Sequence, residues 1–303
     1  MDNVLQGHTI GFIGLGVMGK PMAGHLHAAG AQLTIHNRSQ GVIQQLQNEW
    51  PDVATASSPA KVAEERAGDV IVLMLTNTPS VDAVALGKNG LTSTLKPGTL
   101  VIDMSTTGVT KTRECADRVK ALGGGWVDAP VSGGQFGAED GSLAIMAGGD
   151  EADFVRAKPI LEVMGAKITH LGPVGAGQIT KLANQTIVGI GVAALAEALT
   201  LAKSAGVDPA KVRDAIRGGF AESRLLAEHG ERMVTDNFEP GGRATYQLKD
   251  VREARELMRD LDINLPMLSR NVELWEQMVD EADLGNIDHS GILRMYEENQ
   301  FQK

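Results

Sequence analysis

Lys181 is the side chain of this 303-residue sequence best suited to acid–base chemistry. It stands in Gly175-Ala176-Gly177-Gln178-Ile179-Thr180-Lys181-Leu182-Ala183-Asn184-Gln185, at the head of an apolar stretch with helical spacing from Gln178 to about Ser204. On a helix, Gly177 at i−4, Asn184 at i+3 and Gln185 at i+4 occupy neighbouring positions of one face. An ammonium partly withdrawn from water has a lowered pKa. That suits it to give a proton to a developing alkoxide near neutral pH. Gly177 leaves room for a substrate beside it, and Asn184 would orient the lysine or a substrate hydroxyl. The competing reading is a structural lysine that snorkels its charge out of an apolar face.

A second group of residues suits a carboxylate. In Asp128-Ala129-Pro130-Val131-Ser132-Gly133-Gly134 a short apolar strand gives way to a hydroxyl followed by two bare amides. Ser132, Gly133 and Gly134 together make a small concavity for an anion. A plain glycine-rich turn has the same composition.

These residues need a scaffold, and the first twenty residues supply its start. The apolar run Thr9–Ile13 leads directly into Gly14-Leu15-Gly16-Val17-Met18-Gly19, and a helical pattern follows. Gly14 suits the tight turn, Gly16 a close approach of backbone to pyrophosphate, and Gly19 the packing of helix on strand. The helix N-terminus adds unpaired amides and a positive dipole end. After the next strand, Gln32–His36, the chain has Asn37-Arg38-Ser39, where an NAD site usually carries an acidic residue for the ribose hydroxyls. Arg38 can fork onto a 2′-phosphate, and uncharged Asn37 does not repel it. The sequence therefore predicts NADP as the preferred cofactor, with NAD as the second choice.

Strands and helices alternate through the first half. Apolar runs at Asp69–Leu75 and Thr99–Met104 read as buried parallel strands, and Trp126–Ala129 and Leu143–Ala147 add two more. Helices are expected at Gly41–Asn48, Ser58–Arg66, Val81–Leu86, Thr110–Leu122 and from Asp150. Beyond Gly172-Pro173 the pattern is helical only: after the long stretch come Val207–Arg217, Ser223–Val234, Gln247–Leu261, Met267–Glu281 and His289–Phe301. The expected fold is α/β, with an N-terminal Rossmann-type doubly wound sheet over residues 1–172. An all-α domain follows over 173–303. Its long first helix, apolar round most of its girth, should be buried in the core or in a subunit interface.

Composition excludes other classes. The net charge of −10 and an aromatic content of 4% argue against nucleic acid as a partner. Cys115 is the one cysteine, expected to be an inert core residue, so neither a disulfide nor a thiolate zinc site is available. The seven histidines lack the spacing of a metal-binding helix, and no metal site is expected; His25 and His27 read as surface residues. No signal peptide and no apolar span near 20 residues were evident, so the expectation is a cytoplasmic chain without membrane contact.

With its three motifs in order, the sequence from Gly11 to Tyr296 resembles the β-hydroxyacid dehydrogenases, the 3-hydroxyisobutyrate dehydrogenase-like enzymes. The resemblance implies that Lys181 is the family's catalytic lysine and that Ser132, Gly133 and Gly134 anchor the substrate. It also implies cofactor contacts from Met74, Leu75, Thr106 and Lys249, the last closing over the nicotinamide side. It implies a small carboxylate substrate and a homodimer or homotetramer. Within the family, Ala196–Leu199, Ile216–Gly219, Asn237–Gly241 and Asp288–Ser290 look most like the 2-hydroxy-3-oxopropionate (tartronate semialdehyde) reductases, whereas Phe136 and Ala221-Glu222-Ser223 match no single subfamily. The expected activity is NAD(P)H-dependent reduction of a short 3-oxo acid. The alternatives are 3-hydroxyisobutyrate dehydrogenase, a glyoxylate or succinic semialdehyde reductase, an imine reductase (disfavoured by Lys181), and a non-catalytic NADPH sensor.

Overall fold

The computed structural model describes residues 3–65 and 69–297. The ends of two expected helices, at Arg66 and at Phe301, lie outside the described residues. The chain forms two compact units, Met1–Lys181 and Leu182–Lys303.

In the first unit, β1 (Thr9–Ile13), β2 (Gln32–His36), β3 (Ala54–Thr55), β4 (Val70–Leu73), β5 (Leu100–Asp103) and β6 (Gly125–Asp128) form a parallel sheet in the order β3-β2-β1-β4-β5-β6. Between them run α1 (Gly19–Ala28), α2 (Gln40–Glu49), α3 (Pro59–Glu65), α4 (Thr78–Leu86) and α5 (Val109–Ala121). This is the doubly wound Rossmann order, with its ligand crevice at the carboxyl ends of β1 and β4. Both sheet faces are covered, which is why the strands read as unbroken apolar runs. Ile10, Phe12, Val72, Leu100 and Ile102 enter one core cluster; Ile13, Ile71, Leu73 and Val101 enter the other. Cys115 lies fully buried in the second cluster, and burial pushes its thiol up to about 12, so it is inert as expected.

A second sheet follows, made of β7 (Val131–Ser132), β8 (Leu143–Ala147) and β9 (Gly165–His170). β7 pairs antiparallel with β8, and β8 parallel with β9. α6 (Gly134–Glu139) and α7 (Glu151–Met164) flank β8 in the chain. β9 and α6 escape the sequence reading for physical reasons. β9 buries only Gly165 fully, so it has no apolar run, and α6 is a helix of 6 residues that starts on glycine.

The long helix α8 (Ala176–Ser204) starts in the first unit and continues into the second. The compact division falls within this helix at 181/182, and hydrogen bonds fasten its first turn to Asp128 at the end of β6. The second unit adds α9 (Pro209–Ile216), α10 (Arg224–Val234), α11 (Ala244–Asp260), α12 (Pro266–Glu276) and α13 (Leu293–Glu297). Its core gathers Leu226, Leu248, Val251, Val272, Trp275 and Met278. One expectation about α8, that the chain has no apolar span near 20 residues, is corrected. In the single chain the helix is open in places, with Ile187 69% and Leu201 72% exposed. At 29 residues it is also long and apolar enough, by length and composition alone, to cross a bilayer. Between Leu182 and Ala202 its alanines, leucines, isoleucines and valines outweigh a single charged residue, Glu197.

Candidate active site

β1 ends one residue before Gly14, and α1 begins at Gly19. Gly14 has φ +102°, and a side chain there would collide with the Met74 carbonyl oxygen; one at Gly19 would collide with that of Gly14. Gly16 is the opposite case, with nothing within 4 Å of an added Cβ. Two glycines thus close the turn tightly while the third leaves bare backbone open. α1 has no side-chain N-cap and no acidic residue in its first turn, so its amides and dipole are available to an anion. The cradle fits a dinucleotide pyrophosphate.

Asn37 has a further task that the sequence did not reveal. Its Oδ1 accepts from the Leu15 amide at 3.1 Å, and its Nδ2 donates to the Ser39 carbonyl at 3.1 Å. The carboxamide therefore fastens the end of β2 to the glycine loop. Arg38 and Ser39 beside it are exposed, as are Val17 and its loop neighbour Gly16. On the adjacent strands the Met74 amide donates to Ile13 O at 2.9 Å, and the Leu75 amide to Ser105 Oγ at 2.9 Å. Half-buried Thr106 follows β5. The expected cofactor residues of this unit therefore line the carboxyl ends of β1, β2, β4 and β5.

β6 leads into the anion concavity. Ser132 is half-buried and pairs across β7–β8 with Ala144. Gly133 has φ +142°, a backbone closed to other residues, and an added Cβ on Gly134 would meet nothing within 4 Å. The amides that open α6 are thus presented on bare backbone. Lys181, in the second turn of α8, is only 7% exposed, which removes it from the class of ordinary solvated lysines. Asp128 and Gln178 are fully buried and were given no role by the sequence reading. Asp128 accepts from the Gly175 amide at 2.7 Å and the Gln178 amide at 2.9 Å. Burial lifts its carboxyl to about 6, against the lowering pull of those amides.

In the second unit, half-buried Asn184 donates to Gln185 Oε1 at 2.9 Å. Gln185 donates to Asp250 Oδ2 at 2.5 Å, and Lys249 Nζ lies 2.8 Å from Asp250 Oδ1. Asn184 and Lys249, two of the expected site residues, are therefore joined through Gln185 and Asp250. Asp250, next to Lys249 in sequence, had no role in the sequence reading.

Comparison with known proteins identifies the family. Residues 9–172 match the model for the NAD-binding domain of 6-phosphogluconate dehydrogenase. Residues 175–296 match that for the NAD-binding region of NADP-dependent 3-hydroxyisobutyrate dehydrogenase. Over 288 residues the chain is 41% identical to 2-hydroxy-3-oxopropionate reductase of Escherichia coli (strain K12), spanning 95% of this chain and 97% of that one. The chain belongs to the 3-hydroxyisobutyrate dehydrogenase-like family. It is an NAD(P)-dependent oxidoreductase of the β-hydroxyacid dehydrogenase type. Another relative in the family is 2-(hydroxymethyl)glutarate dehydrogenase of Eubacterium barkeri, 34% identical over 295 residues and covering 95% of each chain. The structure of Mycobacterium tuberculosis 3-hydroxyisobutyrate dehydrogenase with L-serine superposes with a TM-score of 0.86 at 30% identity, over 95% of this chain and 98% of that one.

Two of the segments that resemble the tartronate semialdehyde reductases in sequence meet within the second unit. Asp288 accepts from the Gly241 and Gly242 amides, each at 3.0 Å, and from Ser290 N and Oγ at 3.0 and 2.6 Å; its own amide donates to Phe238 O. Asn237–Gly241 and Asp288–Ser290 thus form a single structural knot. Likewise Ser223 caps α10 through the Leu226 amide at 3.0 Å, Glu222 holds the Gly218 amide at 2.9 Å, and Phe136 is exposed. His25 and His27 are half-buried at the surface and engaged there: His25 Nε2 lies 3.0 Å from Ala138 O, and His27 pairs with Asp52.

The knot also gathers His229, Asp288 and His289, the one group of potential metal ligands among the described residues. Sixty residues separate the two histidines, which is why helical spacing did not reveal it. The Asp288 oxygens are already engaged by four donors, and the histidine Nε2 atoms face each other at 3.2 Å. Burial, helped by the charge of its neighbour His229, pushes His289 down to about 4. Its unfolded-state value of 6.5 lies higher, so the unfolded chain binds more protons between pH 6.5 and 4, and the fold loses stability as pH falls through that window. Asp128 has the opposite sign, because its folded value is raised above 3.8 and its unit gains stability on acidification from pH 6 to 4. Hydrogen exchange from pH 7 to 4.5 should show residues 182–297 losing protection before the parallel sheet does. Loss of both together would contradict these assignments.

Proposed function

We propose that this chain reduces a short 3-oxo acid of the 2-hydroxy-3-oxopropionate (tartronate semialdehyde) type with NADPH, and that Lys181 is its general acid. One observation carries the chemistry. A lysine 7% exposed stands in the second turn of a helix whose first turn is fastened to the carboxyl ends of β5 and β6, beside the cofactor crevice of an oxidoreductase fold. The substrate class is supported by the 41% identity to the E. coli reductase of that name.

In this reading Ser132 and the Gly133 and Gly134 amides hold the substrate carboxylate. Bound nicotinamide supplies the hydride that goes to the carbonyl carbon. Lys181 Nζ gives one proton to the carbonyl oxygen as negative charge grows there, is left as the neutral amine, and regains its proton from solvent. Asn184, three residues on in the same helix, orients Lys181 or a substrate hydroxyl. Lys249 keeps the cofactor role that family resemblance gives it. NADPH over NADH rests on Arg38 with Asn37. A cytoplasmic homodimer or homotetramer, covering the exposed apolar residues of α8, completes the proposal.

The test is an assay of purified protein with tartronate semialdehyde, following NADPH and NADH oxidation separately. Glyoxylate and succinic semialdehyde are run alongside, and 3-hydroxyisobutyrate is run with NADP⁺ or NAD⁺ in the oxidative direction. Fastest turnover of the three-carbon semialdehyde with NADPH is the expected result. Turnover of another acid alone would overturn the substrate, and turnover of none would favour the cofactor-sensor reading.

A further inference from the structure

We infer that Gln178 is a positioning residue that locks the cofactor-side loop after β5 to the proton donor Lys181. Its carboxamide makes two bonds to that loop. Oε1 accepts from the Thr107 amide at 3.0 Å, and Nε2 donates to the Ser105 carbonyl at 2.8 Å. One side needs an acceptor and the other a donor, so the amide has a single orientation. The two bonds straddle Thr106, the cofactor contact of this loop, and grip the backbone on either side of it.

Three further contacts extend the lock. Ser105 Oγ accepts from the Leu75 amide at 2.9 Å, tying in the loop after β4, and the Ser105 amide donates to Asp103 Oδ1 at 3.0 Å. The Gln178 amide donates to Asp128 at the end of β6, so side chain and backbone of one residue reach two strand ends. All of this lies inside the first unit, and Gln178, Ser105 and Thr107 are fully buried. Lys181 follows Gln178 by three residues on α8, which places it on a neighbouring position of the same helix face, about 4.5 Å along the axis. A rotation or slide of the first turn of α8 would therefore move the ammonium relative to the loop that meets the cofactor. Gln178 blocks both motions. Hydride transfer coupled to proton donation is sensitive to displacements of this size.

The inference rests on the proposed role of Lys181, and its test separates the two. Gln178→Leu removes both loop bonds at similar volume. Gln178→Glu, when ionised, keeps the acceptor for Thr107 and sets an oxygen against the Ser105 carbonyl. For Gln178→Leu, turnover is expected to fall roughly 10- to 100-fold while NADPH affinity, read by fluorescence, changes by less than about threefold, with Gln178→Glu in between. In the substrate-free protein, acetylation of Lys181 followed by mass spectrometry should shift its pH midpoint in both variants. This second readout needs no substrate, so it decides the matter even if the wild-type protein reduces none of the acids above. Should Gln178→Leu fail to fold, Gln178→Glu decides alone by the same two measurements. Wild-type turnover, or a loss that merely follows the folded fraction with Lys181 labelling unchanged, would overturn the inference.

Discussion

Replacing Lys181 with alanine is expected to lower kcat by roughly 10²–10³ while leaving NADPH binding nearly unchanged. The magnitude follows from what the ammonium does. A preorganised donor aimed at a developing alkoxide in a site shielded from water contributes about 2.7–4 kcal/mol to the transition state. At 7% exposure Lys181 has the shielded surroundings that the proposed role needs. The proposed cofactor-binding residues lie on other elements, from Gly14 to Thr106 and at Lys249, and the fastening of α8 runs through Asp128 and Gln178 one turn earlier, so the substitution leaves both in place. Alanine is also a good helix former, which keeps α8 intact. Lys181→Arg provides a second check, because a guanidinium retains the charge but does not give up its proton near neutral pH. Steady-state rates with a cofactor titration read the result. If Lys181→Ala kept more than a tenth of wild-type turnover, or if arginine restored full activity, Lys181 would not be the acid.

How much of this was legible in the sequence depended on range. The glycine loop was readable because its chemistry is local: six residues form strand end, turn and helix start. Lys181 stood out for the same reason, since a charged residue amid Leu182, Ala183 and the apolar residues beyond is visible within a few turns of one helix. Asp128 and Gln178 are 50 residues apart, and Gln178 and Ser105 are 73 apart, so only the folded sheet reveals that they bond. The junction of Asn184 to Lys249 depends in the same way on Gln185 reaching Asp250 across 65 residues. Edge strand β9 lacked the periodic burial from which strands are read. Family resemblance added roles that no spacing rule provides, but it also gave weight to Asp288–Ser290, whose carboxylate turns out to hold loops together.

Arg38 and Asn37 offer the second large effect, a change of cofactor. In the proposed site Arg38→Ala would remove a charge-assisted fork to the 2′-phosphate, a type of bond contributing about 1.5–3 kcal/mol. Its kcat/KM for NADPH should therefore fall roughly 10- to 100-fold, while that for NADH stays close to wild type. Asn37→Asp is the more informative substitution. The carboxylate can still accept from the Leu15 amide, so the glycine loop keeps its anchor to β2. The bond to Ser39 O is lost, because a carboxylate has no donor for it, and a negative charge arrives beside the 2′-phosphate. Repulsion of NADPH and a new acceptor for the ribose hydroxyl of NADH then act in one direction. The double variant, Asn37→Asp with Arg38→Ala, should prefer NADH. Asn37→Ala separates the two tasks of this residue: it adds no charge but leaves the Leu15 amide without its partner, so it should weaken both cofactors alike. Ratios of kcat/KM for the two cofactors across the four variants test this directly. Equal losses for NADPH and NADH in Arg38→Ala would place the guanidinium away from the 2′-phosphate and leave Asn37 as a loop anchor alone.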